Sequence, residues 1–300
     1  MKKVTSKLAQ TLGAGRQALT AECLPPRSGD AGAVRKLKSC FPSVLDAVVV
    51  ADNPEDVGGS ALATAALLAA EKIETVLSIV TRDRNRISLE SDALGASALG
   101  IRNILCLSGQ HQAIGLCPEA ASAADIDSIQ FTQALCSMAG PGVDFMGRKL
   151  DAPLDLFVGA IAHPYLRPME LNLLRLRKKV AAGAKFLLTQ AVFDVAGFTE
   201  WMDAVRAAGL DKQVAILASV LPLHSVEQAK QLQQRQTYGP IPPDAIDRLA
   251  KASDPAREGR AMAAEVAKKV RGLPGVRGLH LLSGGAEASV ALLIQEAGLA

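Results

Sequence analysis

The stretch from Thr81 to Gln110, TRDRNRISLESDALGASALGIRNILCLSGQ, constrains the fold more than any other part of the chain. It places a charged turn, Thr81-Arg82-Asp83-Arg84-Asn85, directly after the apolar run Val76–Val80. A helical segment follows, with Ile87, Ser91, Leu94 and Ala98 on one face, and Gly100 supplies the left-handed position that ends it. Ile104-Leu105-Cys106-Leu107 then reads as a buried strand that stops in Ser108-Gly109-Gln110. Strand, loaded turn, helix, strand, loaded turn is a β/α unit, and such units carry their chemistry where the strands end.

The unit repeats. Strands are expected at Ala18–Leu24, Ala47–Ala51, Thr75–Val80, Asn103–Leu107, Leu154–Ala162, Lys185–Thr189, Val214–Val220 and Gly275–Leu282. Helical patterns separate them, among them the Ala-rich 60–71, the stretch 195–208 and the long amphipathic 256–271. Apolar residues make up 49% of the chain and aromatics only 3%. The core is therefore built of Ala, Leu, Val and Ile, which suits parallel strands covered on both faces. Eight alternations over roughly 280 residues predict an α/β fold, a (β/α)₈ TIM barrel, close to the ~250 residues typical of that architecture. The expectation is one domain over 1–300, with 1–17 as a lead-in. The rival, a doubly wound open sheet for a dinucleotide, is weakened because no GxGxxG turn follows the first strand.

A formal charge of +3 and the lack of any basic cluster interleaved with aromatics argue against nucleic acid as a partner. The five cysteines, Cys23, Cys40, Cys106, Cys117 and Cys136, form no CxxC pair and no zinc-site spacing, so no metal is expected. Scattered thiols read as reduced, with Cys23 and Cys106 in the core, and suggest a cytoplasmic setting. The polar, basic segment Met1–Arg16 does not read as a signal peptide, and the small-apolar run Ala61–Ala70 is too short to span a bilayer.

In a barrel of this kind function collects at the C-terminal ends of the strands. Those ends read Glu22, Asp52, Thr81 with Arg82 and Asp83, Gly109-Gln110, His163, Gln190, Leu221-Pro222 and Ser283. One acid, several hydrogen-bonding groups and a charged loop suit a polar heteroaromatic ligand and the movement of one proton. No Ser–His–Asp order and no HExxH is present. These residues by themselves name no substrate.

Taken in order, several segments resemble the short methylenetetrahydrofolate reductases of bacteria and archaea. Thr20-Ala21-Glu22-Cys23-Leu24-Pro25-Pro26-Arg27 is similar to the E-x-x-P-P start of that family. Thr81–Arg86, Ser91–Ala96 and Gly100–Gly109 follow in the same order, and Lys178–Gln190 matches K-x-x-x-G-A-x-F-x-x-T-Q. The resemblance implies hydride transfer through FAD to the one-carbon unit of methylenetetrahydrofolate. It makes Glu22 the acid that opens the imidazolidine ring and Gln190 the amide that binds the pterin edge. It places Asp52, Thr81, Arg82, Asp83, Arg84, Asn85, Gly109, Gln110, His163 and Lys179 around the flavin. NADH, NADPH or a protein donor supplies the electrons, and a homo-oligomer is expected.

Three positions depart from the family pattern. Gln110 stands where L-x-G-D has its acid, His163-Pro164-Tyr165 replaces A-x-P-E, and Ser283-Gly284-Gly285 replaces an L-N-R-like segment. An amide in place of a carboxylate near the flavin favours its anionic reduced form and a higher potential. The departures leave two alternatives: a folate- or flavin-binding subunit that works only in a larger redox or methyl-transfer complex, or a barrel that has lost its site.

Overall fold

A computed structural model describes residues 5–54, 57–114, 117–235 and 238–299. Eight parallel strands close into a barrel in sequence order: β1 (Ala18–Cys23), β2 (Ala47–Val50), β3 (Thr75–Val80), β4 (Asn103–Leu107), β5 (Phe157–Ala162), β6 (Phe186–Ala191), β7 (Ala215–Val220) and β8 (Val276–Leu281). The expected (β/α)₈ architecture is therefore present. The bounds of β3 and β4 are those expected, and the other strand ends differ slightly. The largest difference is at β5, where Leu154–Leu156 lead in without pairing.

Strand alternation sorts the apolar residues into two layers. Ala47 and Val49 of β2, Val76, Leu105, Leu188 and Leu217 fill the barrel, whereas Val48, Val50, Leu77 and Ile104 face the surrounding helices. Phe186 lies deep inside, stacked on Phe157 with ring centroids 5.3 Å apart. Gly159 makes room for it, since a Cβ there would lie 2.3 Å from the Phe186 ring.

The lead-in is structural. Ser6 caps helix α1 (Lys7–Gly13), whose Leu8 and Leu12 join the barrel interior. Asp46 ties α1 in place by accepting from the Thr11 hydroxyl at 2.7 Å and the Leu19 amide at 2.9 Å. The bottom of the barrel is thus plugged, and the strand C-termini form the open end.

The outer ring comprises α2 (Ala31–Lys36), α3 (Ala61–Ala70), α4 (Arg86–Ala98), α5 (Ser128–Ala139), α6 (Met169–Ala181) and α7 (Val195–Ala207). After β7 come α8 (Val226–Arg235), α9 (Pro243–Lys251) and α10 (Pro255–Arg271), and α11 (Ala288–Ala297) follows β8. On α4 the stripe Ile87, Ser91, Leu94, Ala98 is the solvent face: Ile87 is 76% and Leu94 39% exposed. Leu89, Ala93 and Ala96 are the buried side. Leu89 and two small alanines, rather than the larger Ile87 and Leu94, face the core. Gly100, with φ +81°, ends this helix as expected.

His280 of β8 is buried inside the barrel, with its Nδ1 3.0 Å from the Thr20 hydroxyl. Burial pushes its pKa down to about 3. The unfolded chain takes up this proton near pH 6.5, the folded chain only near 3, so acid favours unfolding across that window. Stability is expected to fall by about 1.4 kcal/mol per pH unit below ~6.5 on this account. Thermal melts of wild type and His280→Gln between about pH 7 and 4.5 check it. Equal pH slopes in the two proteins would refute the assignment.

Candidate functional site

Glu22 ends the inward series Ala18, Thr20, Glu22 on β1 and is 8% exposed at the barrel mouth. Its Oε2 accepts from the Ser283 amide at 3.0 Å, the Ser283 hydroxyl at 3.2 Å and the Gly284 amide at 3.3 Å. Desolvation raises its pKa, and the neighbouring Glu287 carboxylate adds to the rise, against the opposing pull of these donors. A buried carboxyl held above its ordinary range is suited to deliver a proton near neutrality.

Opposite it, β6 carries one extra residue between Leu188 and Ala191 relative to β7, a β-bulge. The bulge is stapled: Thr189 Oγ1 receives the Ser219 amide at 2.9 Å, and its carbonyl receives the Ser219 hydroxyl at 2.6 Å. Gln190 follows at the mouth, half-buried, and its side chain hydrogen-bonds the ring of His163 from the adjacent β5 exit. His163 reaches solvent, yet protein crowds it and Lys179 and Arg175 lie near, and its pKa is pushed down to about 4. It is therefore neutral near neutral pH, able to donate from one ring nitrogen and accept at the other. Leu107 and Ile161, both half-buried inner residues, form apolar floor beside these polar groups.

The remaining expected site residues divide by what already holds them. Asp52 is 4% exposed and accepts from the Val80 amide at 2.8 Å and from Arg84 Nη1 at 2.6 Å. Arg84 Nε also reaches Asp92 at 2.9 Å. Thr81 is buried, and its amide donates to the Leu107 carbonyl at 2.9 Å. Asn85 caps α4 by accepting from the Ser88 amide at 3.1 Å. The Lys179 ammonium donates to the Ile161 carbonyl, and burial lowers its pKa to about 8.

Arg82 pairs with Asp83, with Nε and Nη2 each 2.7 Å from a carboxylate oxygen, and its Nη1 donates to the Gln110 carbonyl at 3.0 Å. This pair depresses the Asp83 pKa and sits at a partly exposed edge. Gly109, φ +77°, packs against Val80 and Arg82 so closely that a Cβ would lie 2.5 Å from Val80 Cγ1. Gln110 follows, half-buried. Cys23 and Cys106 lie in the core, and burial raises both thiols. Among the described residues no group of three His, Cys, Asp or Glu could hold a metal, and no helix is long and apolar enough to cross a membrane.

Two residues that matter here escape a reading of strand ends. Glu287 starts α11 and accepts from the Leu24 amide at 3.0 Å. Asp92 lies inside α4, beyond its first turn. Both stand in helical segments, where a carboxylate in the sequence looks like an ordinary solvated charge.

Residues 7–298 match the family model described as methylenetetrahydrofolate reductase. The 5,10-methylenetetrahydrofolate reductase of Escherichia coli K12 is 37% identical over 81 residues, 26% of this chain and 27% of that protein. The matched stretch therefore spans about a quarter of the length of the E. coli relative. The Pectobacterium carotovorum 5,10-methylenetetrahydrofolate reductase is 27% identical over 231 residues, covering 74% of this chain and 69% of that protein. Among solved structures, a Clostridium thermocellum protein that binds two copies of 5-methyl-5,6,7,8-tetrahydrofolic acid superposes with a TM-score of 0.69. It shares 15% identity, and the match covers 97% of this chain and 98% of that one, a likeness of fold.

Proposed function

The chain belongs to the methylenetetrahydrofolate reductase family, and from that premise we propose that it reduces 5,10-methylenetetrahydrofolate to 5-methyltetrahydrofolate with Glu22 as the proton donor. The observation that carries this reading is the buried Glu22 carboxyl at the barrel mouth, its pKa raised, with no cation among the described residues pairing with it. In the proposal Glu22 protonates a ring nitrogen of the bound substrate, the imidazolidine C–N bond breaks, and the one-carbon unit becomes an iminium ready for hydride. The Gln190 amide donates and accepts at once along the pterin edge, and its hydrogen bond to His163 limits how it can rotate.

FAD, when bound, supplies the hydride transfer in this reading. A flavin needs an apolar floor, a hydrogen-bonding edge and positive charge for its diphosphate. Leu107, Ile161, Gln110 and His163 suit the first two needs. For the third, Arg84 and Lys179 are committed to Asp52 and to the Ile161 carbonyl inside the fold. The Arg82–Asp83 pair joins adjacent residues at a partly exposed edge, where a diphosphate would take the place of the Asp83 carboxylate. Arg82 is thus the cation assigned to the cofactor, with Arg84, Asp52, Thr81 and Asn85 as its scaffold.

The test is the visible spectrum of the purified protein, chromatography of any released chromophore, and anaerobic titration with NADH and NADPH. Flavin bands bleached by a nicotinamide, then restored on adding methylenetetrahydrofolate, are expected. A protein that binds 5-methyltetrahydrofolate yet is reduced by neither nicotinamide would instead favour the partner-dependent subunit, served by a protein electron donor. A protein that binds neither folate nor flavin would overturn the reading.

A further inference from the structure

The carboxyl assigned as the acid is linked to a second carboxyl by one hydroxyl. Ser283, fully buried, places its Oγ 3.2 Å from Glu22 Oε2 and 3.4 Å from Glu287 Oε1. A serine hydroxyl has one proton to give, so it satisfies one carboxylate at a time. The Gly285 amide donates to the same Oγ at 3.3 Å, which fixes its lone-pair side. Glu287 is only half-buried and stands at the start of α11, where solvent reaches it. Glu22 is reached from solvent mainly over the barrel mouth, which bound ligands would cover.

We propose that Glu287, acting through Ser283, returns the proton that Glu22 spends in each turnover. This rests on the reading of Glu22 given above. Glu287, a carboxylate at rest, first takes a proton from water, and its new O–H bond breaks as that proton passes to Ser283 Oγ. The Ser283 O–H bond breaks as its own proton passes to Glu22 Oε2. The net change is one proton moved from water to Glu22, with Glu287 back as the carboxylate; nothing is oxidised or reduced. Ser283 and Glu287 are thus positioning residues. The other titratable groups facing this corner are the Cys23 thiol on β1, with Cys40 beyond it, and His224 from the segment after β7, beside Gly284. None of these three bridges the two carboxyls.

The experiment compares wild type with Glu287→Gln and Ser283→Ala, and with the conservative Glu287→Asp and Ser283→Thr. Glutamine keeps an acceptor for the Leu24 amide, so the fold survives, and 5-methyltetrahydrofolate titration verifies the site. Glu287→Gln is expected to cut steady-state turnover about tenfold or more while leaving the first turnover near wild type, in line with proton-transfer contributions. Removing a like charge lowers the Glu22 pKa, so the alkaline limb of the kcat profile moves to lower pH. Ser283→Ala gives the same split between first and later turnovers, and both conservative variants restore the wild-type ratio. An infrared titration of the buried carboxyl in wild type and Glu287→Gln reads the coupling without turnover.

Unchanged pH profiles and an unchanged ratio of first to later turnovers would overturn the relay. A wild type that turns over no folate would instead overturn the functional reading. The infrared titration then reads only the link between the two carboxyls: an unshifted carboxyl refutes that link, and a shifted one upholds the link while the relay falls with the functional reading.

Discussion

On the proposed reading, Glu22→Gln is expected to lower folate reduction by about 10²- to 10⁴-fold, the range general acids contribute, and to leave 5-methyltetrahydrofolate binding intact. The amide is nearly isosteric, and its oxygen accepts from the Ser283 and Gly284 amides as the carboxylate does. The corner therefore stays folded and only the transferable proton is lost. Reduction of the protein by its electron donor needs no acid, so that half-reaction continues at close to the wild-type rate. Stopped-flow measurement of the two half-reactions, with an equilibrium titration of the product, checks all three statements. Equal loss in both half-reactions, or loss of binding in step with turnover, would remove Glu22 from the role of acid. A fall of less than about tenfold would do so as well, because water would then be replacing the carboxyl with little penalty.

The barrel was legible because parallel strands buried on both faces leave a strong local trace. Ala47-Val48-Val49-Val50 shows the pattern: an unbroken apolar, β-branched run reads as a strand without knowledge of what lies on either side. Strand exits were equally plain, since Pro25, Pro54 and Pro164 each stop a strand's pattern within one turn of its end. What each polar residue does at those exits was not legible. Asp52 and Glu22 occupy similar places in the sequence, one at the exit of β2 and one at the end of β1. Their difference lies in what long-range partners do. Arg84 reaches Asp52 and holds it as an ion pair, whereas only neutral donors and another carboxylate meet Glu22. Such pairings span 32 and 261 residues, and no local pattern reports them. The same holds for α1. Its sequence gives a short helix, but only the closed barrel supplies the apolar opening that Leu8 and Leu12 plug.

Asp52 is the second position where a large effect is expected, and there the effect is on stability. Its carboxylate is buried and takes the Val80 amide on Oδ2 together with Arg84, which it also meets through Oδ1 at 3.3 Å. Asp52→Ala leaves a buried amide without its acceptor and takes from the Arg84 guanidinium one of its two carboxylate partners, leaving Asp92. Removing one partner of a buried, hydrogen-bonded pair costs about 3–5 kcal/mol. For a chain of this size that corresponds to a fall in Tm of roughly 6–15 °C. Asp52→Asn keeps an acceptor for Val80 and loses only charge, so it is expected to lie between Ala and wild type. Because Arg84 also ties the turn after β3 to α4, both variants loosen the segment that carries Arg82 and packs on Gly109 at the mouth. Cofactor affinity is then expected to fall as well, and saturating ligand to raise the Tm of both variants by mass action. The opposite result, an unchanged Tm with ligand binding abolished in Asp52→Asn, would mean that this carboxylate touches the ligand itself, and the scaffold role argued for Asp52 and Arg84 would be wrong.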